Sequence, residues 1–396
     1  MAKRLAIASK ELQLHVVGPR DWFKASRVQR VSLNTDIPST TVDELGNGSH
    51  VGEVKDTPNI TLTFSAMDVG IKVFAALTGQ NATAYPAGGV DISNLGEIDA
   101  ILFIKDPSIN DYVKTAHAKR LQIRDFTFNY SVDGEASEDY TAVGSEKRWF
   151  SNDIAVEVKT AAFTTLAQAP VALKNGNKLL SLKSETGYLD EVPSAPAAGQ
   201  FSVSGTTITY GSGSTPATRL LVVYQVVTAT PSWADVSDPL MPAGIRGKDT
   251  PILIAANSIP RVQSVSINGS LNVQPVREMG NKNILGYQKQ VPDVTGSITV
   301  TDTDVELMSL LQYGVLASGT EYDPGSGCVT SGVSLEIRLL DPCDDTLPYT
   351  VLKTVYLDNI IVTGDSYSST VNQNTTVTYN FKSQTAHCVV YSGAKA

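Results

Sequence analysis

Residues 27–78, RVQRVSLNTDIPSTTVDELGNGSHVGEVKDTPNITLTFSAMDVGIKVFAALT, return in altered form as residues 261–312, RVQSVSINGSLNVQPVREMGNKNILGYQKQVPDVTGSITVTDTDVELMSLLQ. The two align without a gap at an offset of 234, and 16 of the 52 positions are identical. Arg27-Val28-Gln29 falls on Arg261-Val262-Gln263, and Glu44, Gly46 and Asn47 fall on Glu278, Gly280 and Asn281. Pro58 meets Pro292 and Asp68 meets Asp302. A period this long is not a solenoid repeat, so the chain reads as two copies of one whole domain.

Each copy begins with a strand. Arg27, Gln29, Val31 and Leu33 alternate with Val28, Arg30, Ser32 and Asn34, and the second copy keeps the phase with Val265 and Ile267. Val31 and Leu33 are expected to face a core. Residues 35–57 have no period and carry Pro, Gly and Asn, which predicts a long irregular loop or arm, present in both copies and fit for a subunit contact. Gly46 and Gly280 supply turn geometry in it. A second strand follows, NITLTFSA (59–66) and DVTGSITV (293–300), with Ile60, Leu62, Phe64 and Ala66 on one face and hydroxyls on the other. A helix comes next, capped by Asp68 in the first copy and by Asp302 or Asp304 in the second. Its stripe is Ile71, Phe74 and Leu77, matched by Val305, Met308 and Leu311, and Gly79 and Gly314 stop it.

The remainder is looser but parallel. AILFIKDP (100–107) matches LEIRLLDP (335–342), and RLQIRDFTFNYS (120–131) takes the part of TVYLDNIIVTGDS (354–366). TVTYNFKS (376–383) closes the second copy as a strand. At the start of the chain, LAIAS and LQLHVV suit short strands. The fold class is therefore mainly β: two tandem β-sandwich or half-barrel domains, each with a flanking α-helix. Between them, GQFSVSGTTITYGSGSTPATRLLVVYQVV (199–227) has short alternating strands split by Gly-Ser turns. That gives a first domain over 1–160, an inserted small β-domain over 161–235 and a second copy over 236–396. Residues 229–251 read as a linker into PILIA (251–255).

Composition narrows function. Charged residues make 18% of the chain, under the roughly 25% of soluble domains, which suits a subunit that covers itself with copies of itself. The net charge of −9 argues against wrapping nucleic acid but allows a surface that repels phosphate. The N-terminal apolar run is too short for a signal peptide and no run is long enough to span a membrane. Cys328, Cys343 and Cys388 have no metal spacing and read as free thiols, although Cys328 and Cys343 are near enough to pair within a hairpin.

No catalytic set emerges, so no enzyme activity, cofactor or metal site is expected. His15, His50, His117 and His387 are scattered. Gly-Ser-Gly at 211–213 is not a nucleophile elbow, and the Gly-rich stretch 205–213 is not a phosphate loop. Asp341, Asp344 and Asp345 around Pro342 and Cys343 fit no cation-loop spacing and read as a solvated turn.

The series RVQSVSIN, VREMGN and VPDVTGSITVTDTDVELMSLL resembles the tail tube (major tail) proteins of long-tailed bacteriophages. The resemblance covers roughly 1–160 and 245–396 and is closer in the second copy. The first departs with Asn59 for Asp293 and Gly70 for Asp304. The insertion looks like the Ig-like modules of phage structural proteins. The resemblance implies a virion protein, assembled in the host cytoplasm, that forms stacked rings around a conduit for DNA ejection. Tube rings usually present six domains, so two per chain implies a homotrimeric, pseudo-hexameric ring. The rival arrangement is six chains, each spanning two layers. The implied partners are the chain itself and tape-measure, tail-terminator and baseplate proteins, with a sheath if the tail contracts. DNA would pass the lumen without specific binding. The Thr/Ser face of 59–66 and 293–300 and the polar face of 27–34 are the lumen candidates. Two other readings stay open: a baseplate hub or tube-initiation protein of the same fold, and a β-sandwich glycan-binding module. The latter would need aromatic platforms, whereas Trp22, Trp149 and Trp233 are dispersed.

Overall fold

The strands of both halves of the repeat fold the same way in the computed structural model of the chain, which describes residues 12–19, 22–25, 27–44, 49–67, 71–79, 89–106, 111–151, 153–160, 164–184, 187–212, 219–227, 245–280, 284–301, 310, 332–344, 346–369 and 374–395. The first copy opens with β1 (Leu12–Val17) and β2 (Trp22–Lys24), an antiparallel pair. The repeat supplies β3 (Val28–Asp36), β4 (Ser39–Val42), β5 (Gly52–Lys55), β6 (Asn59–Ala66) and helix α1 (Ile71–Thr78). Then come β7 (Val90–Asp91), β8 (Glu97–Asp106), the 21-residue β9 (Asp111–Ser131), β10 (Ser137–Gly144) and β11 (Glu146–Phe150).

β9 is long enough to serve two layers. Its first half pairs with β8 and β11, and its second half with β10. The break between halves sits at Arg120, a non-glycine residue at φ 54°, followed by a register shift opposite Thr141 and Ala142. Bulges of this kind turn a strand through a corner. The order β3–β6–β10–β9 forms one antiparallel layer and β2–β1–β8–β9–β11 the other. Ile60, Leu62, Phe64 and Ala66 are buried as their alternation predicts, with Phe64 stacked on Tyr140 at 5.2 Å. Phe74 and Leu77 of α1 are fully buried in the same core, and Gly79 ends the helix at φ +76°. Asp68, Asp302, Asp304, Val305, Met308, Leu311 and Gly314 lie outside the described residues, as do LAIAS and Cys328.

The predicted irregular loop is corrected. Much of 35–57 is a two-stranded antiparallel arm, β4 with β5, Ser39 opposite Lys55. Its strands are exposed on both faces and carry only Val42 and Val54 as apolar residues, so no alternation marks them.

The inserted module takes β12 (Asp153–Thr160) from the end of the span read as the first domain, where it pairs with β18, and adds β13 (Leu179–Ser184), β14 (Gly187–Tyr188), β15 (Asp190–Glu191), β16 (Gln200–Ser204), β17 (Thr207–Tyr210) and β18 (Arg219–Val226). They make a four-stranded sheet, β12–β18–β13–β14, and a three-stranded sheet, β15–β16–β17. Leu182, Phe201, Ile208, Val222 and Tyr224 form the module's own core. Every residue of β13 is buried, because the far side of its sheet packs on the first copy: Leu180, Leu221 and Val223 meet Val17, Ile101 and Phe103.

The second copy comprises β19 (Ile252–Ile254), β20 (Asn257–Ser258), β21 (Val262–Ser270), β22 (Gln274–Val276), β23 (Gly286–Gln288), β24 (Asp293–Val300), β25 (Val333–Leu340), β26 (Val351–Ser368), β27 (Thr376–Ser383) and β28 (Cys388–Ser392). PILIA thus begins the copy as β19, in the place of β1.

The repeat extends to irregular details. Arg27 and Arg261 both sit at positive φ, 52° and 61°, and each carbonyl accepts from the side-chain amide two residues on, Gln29 or Gln263. Asn359, at φ 52°, breaks β26 where Arg120 breaks β9. Register shifts fall at Val28/Arg30 and Val262/Ser264, and at matching points of β9 and β26.

Candidate assembly interface

The two copies are not beads on a string. The second half of β9 pairs with β21 along seven residues, from Ser131 opposite Ser264 to Asp125 opposite Ser270. One layer therefore runs β3–β6–β10–β9–β21–β24–β27–β26 without a break. A second contact pairs β7 of the first copy with β28 of the second. Beneath both, one hydrophobic core spans the copies.

Each face of this joint has its own chemistry. On the core side Phe128 faces Ile267 and Tyr130 faces Val265, all buried. Gly269 lies opposite Phe126, and a Cβ added there would come within 2.0 Å of the phenyl ring. The missing side chain lets the aromatic ring cover the strand. On the other side the contacts are polar. The Thr127 hydroxyl donates to Asn268 at 3.0 Å, the Ser266 hydroxyl to Asn129 at 3.0 Å, and the Ser270 hydroxyl to Asp125 at 2.9 Å. Ser266 and Asn268 are among the positions identical in the first copy, as Ser32 and Asn34.

A buried ion pair crosses the joint. Lys353 of the second copy donates to Glu138 of the first, and both side chains are fully buried. The Tyr140 hydroxyl holds the other carboxylate oxygen at 2.7 Å, and the ammonium sits 5.2 Å from the Phe128 ring centre. Nearby, burial followed by the charge of Glu138 pushes the Tyr130 hydroxyl well above its ordinary range, and burial keeps the Cys388 thiol protonated. Nothing in the sequence marks Lys353 or Glu138 as partners; the only legible trace of the joint is the retained Ser-x-Asn of β3 and β21.

The second arm reinforces the joint. β22 and β23 pair as β4 and β5 do, and the arm lies across the first copy. The Ile284 amide donates to the Ser145 hydroxyl at 3.4 Å, Arg120 to the Leu285 carbonyl at 3.5 Å, and Lys289 to the Ser93 carbonyl at 3.0 Å. At the base of the first arm, Asp56 pairs with Arg277 of the second at 3.6 Å. Glu44 and the two glycines divide: Glu44, Glu278 and Gly280 are described, Gly280 at φ +86°, while Gly46, Asn47 and Asn281 are not.

The inserted module has its own anchor. Fully buried Asp99 accepts from Ser181 at 2.5 Å, Tyr188 at 2.6 Å, His117 at 3.3 Å and the Arg120 amide at 3.0 Å. Burial alone would raise its carboxyl, but these hydrogen bonds and the His117 and Lys183 charges outweigh it and hold the group ionised. Burial brings Lys183 down to about 8 against the pull of Asp99 and Glu97. Beside this anchor is a cavity of about 180 Å³ edged by Lys119, Glu146, Arg148, Asn175 and Asp190.

The remaining polar residues singled out above do structural work. Asp344 accepts from the Thr346 and Thr350 amides and Asp341 from the Cys343 amide, so they close turns; Asp345 is outside the described residues. His50 binds Asp43 on the exposed arm, and His387 pairs with Asp91 at 3.0 Å. No cluster of three or more metal-ligating side chains occurs among the described residues. Cys343 is exposed, Cys388 is buried and both are free. No helix among the described residues is long and apolar enough to cross a membrane.

No protein-family model matches the chain, and no curated protein matches it.

Proposed function

We propose that this chain is a self-assembling structural subunit whose copies close into rings, and that the rings stack as the tube of a bacteriophage tail. The observation that carries the reading is the joint between β9 and β21. A domain that pairs edge to edge with its own duplicate has the geometry of a repeating ring, because the contact is head-to-tail and leaves the same two edges free at the ends. Closure removes those edges, which otherwise invite uncontrolled pairing.

The number of chains follows from the tube resemblance, and the strand count agrees with it. Each chain offers an eight-stranded layer, so three chains make a barrel of about 24 strands. With strands about 4.8 Å apart and tilted about 40°, that barrel measures roughly 45–50 Å between backbones, wide enough for duplex DNA after side chains are counted. The shared layer also favours the two copies lying side by side in one ring over their lying in two stacked layers. The face away from the core suits a passive bore. It is mostly hydroxyl and amide, including Thr63, Thr127, Ser266, Ser297 and Thr378; its charges are Asp36, Asp125, Asp139 and Asp293 against the separated cations Arg30 and Lys382, the latter paired with Asp293. Phosphate affinity depends on clustered cations, so such a wall lets DNA slide.

In this reading the module, anchored through Asp99, projects from the outer layer, and the tape-measure, terminator and baseplate proteins meet the ends of the tube. The test is negative-stain microscopy of the purified chain. Hollow tubes with rings of three chains are expected. Tubes built from six chains per ring would keep the conduit and overturn the side-by-side arrangement, and a monomer that never stacks would overturn the tube.

A further inference from the structure

The duplication offers a template for the contact between chains, because both strands of the internal sheet joint, β21 and β9, have a counterpart at a free edge. At one end of the eight-stranded layer β3 has β6 on one side and no strand on the other among the described residues. At the opposite end the last part of β26 has β27 alone. β3 corresponds to β21 through the offset of 234. β26 corresponds to β9 because Tyr379, which faces Ile298, occupies the place of Tyr140, which faces Phe64; Asp365 pairs with Tyr379 as Phe126 pairs with Tyr140.

Building on the ring reading, we infer that β3 of one chain pairs antiparallel with Val362–Ser368 of a second copy of this chain, in the register of the internal joint. Leu33 then faces Tyr367, Asn34 faces Ser366, and Ser32 faces Ser368. Three observations support this register over a slip. First, two of the three polar bridges can be remade: Ser32 and Asn34 keep the residues that cross the internal joint as Ser266 and Asn268, and serines 366 and 368 stand where Thr127 and Asn129 stand, while the Ser270–Asp125 bridge has no equivalent because Asp36 meets Gly364. Second, bulk is exchanged between partners: Gly269 under Phe126 becomes Thr35 opposite Asp365, a larger residue facing a smaller one. Third, exposure is concentrated where the template requires burial. Tyr367 is 65% exposed, whereas its counterpart Phe128 is fully buried.

The outer layer carries the same mark. In the second copy Val390 of β28 is fully buried against β7 of the first. Its counterpart on β11 is Trp149, which pairs with Ala116 as Val390 pairs with Val355, and Trp149 is 45% exposed. The first arm completes the surface. Val42, Val51 and Val54 are exposed at 44%, 53% and 62%, on an arm whose counterpart lies along the preceding copy. One side of the first copy thus presents β3, β11 and the arm together, the same three elements through which the second copy holds the first. A slip of one residue would turn Leu33 and Tyr367 to the polar face, so the register is strongly specified.

The experiment is disulfide trapping in the full-length chain. Asn34→Cys and Ser366→Cys are combined in a Cys328→Ser, Cys343→Ser background, which leaves the buried Cys388 as the one native thiol. The two new thiols lie at opposite ends of one chain's layer, so a bond between them must join two chains. Mild oxidation is expected to convert most of the assembled protein into covalent multimers. A control with Ser32→Cys and Ser366→Cys, two residues out of register, should link at least about tenfold less. Rings or tubes that form normally but stay uncrosslinked, or that link better in the control, overturn the register while leaving the tube reading standing. Absence of any assembly, in the variant and in the parent alike, overturns both.

Discussion

The two copies share a framework and differ in what surrounds their first strand. β21 lies between β9 and β24, so Val265 and Ile267 are buried; β3 has a neighbour on one side only among the described residues, and Val31 and Leu33 are only partly buried. The second arm is held by Ser93, Arg120 and Ser145, while the first arm is exposed along both strands. A fold does not dictate whether its edge is covered; the neighbour does. One chain holding both states displays the joint and its unmade counterpart together.

The largest effect should separate those states. Ile267→Asp puts a charge into the shared core and is expected to cost about 4 kcal/mol or more, with loss of the folded chain in a thermal melt. Leu33→Asp, the same change at the free edge, should cost the isolated chain only about 1 kcal/mol yet abolish assembly in sedimentation. Equal losses at both sites would break the comparison.

The buried ion pair sharpens it. Glu138→Ala leaves Lys353 uncompensated and should cost about 3–5 kcal/mol in denaturant unfolding, whereas Glu138→Leu with Lys353→Met should recover most of the loss. The free edge has no such pair: Lys114 takes the place of Lys353 and lies over the Trp149 ring at 4.0 Å, and Val377 takes the place of Glu138. Lys114→Met should change stability by less than about 0.5 kcal/mol. In the ring reading, the internal joint would thus differ from the one between chains by a buried charge pair.

Removing the module's anchor should be milder and local. Asp99→Ala strands three side-chain donors and should destabilise by about 2–3 kcal/mol, read as protease cleavage within 153–227 at concentrations that spare the parent. Such cleavage with the two copies intact would separate module docking from the joint.

The most gradual effect is a pH slope. Burial, then the charge of Lys24, lowers His15 to about 3 from its ordinary 6.5. A depressed imidazole binds fewer protons folded than unfolded. Its contribution is therefore complete above about 6.5 and is lost as pH falls from there toward 3, by up to a few kcal/mol. His15→Leu should flatten that part of the stability curve.

How far the sequence could be read follows from the same physics. The repeat was legible because both copies need the same strands, bulges and buried faces, and the alternation in 59–66 named its core residues correctly. The arms were misread as irregular because a strand exposed on both faces has no apolar period. The joint was almost silent. β3 and β21 share five of nine residues, with Leu33 for Ile267 at the core face, although one is covered and the other is not, so their apolar pattern does not announce the cover. Lys353 and Glu138 lie far apart in the chain, and each alone looks like an ordinary strand charge. The Asp99 anchor joins residues from β8, β9, β13 and β14, a grouping that exists only after the module docks.

The most direct test of the account is the native mass of the purified full-length chain over a range of concentrations. Closure through repeated copies of one joint predicts a ring of three 42.2 kDa chains, alone or in stacked multiples of three, with no open intermediate persisting at equilibrium. A stable monomer, or a dimer that does not grow with concentration, would contradict it.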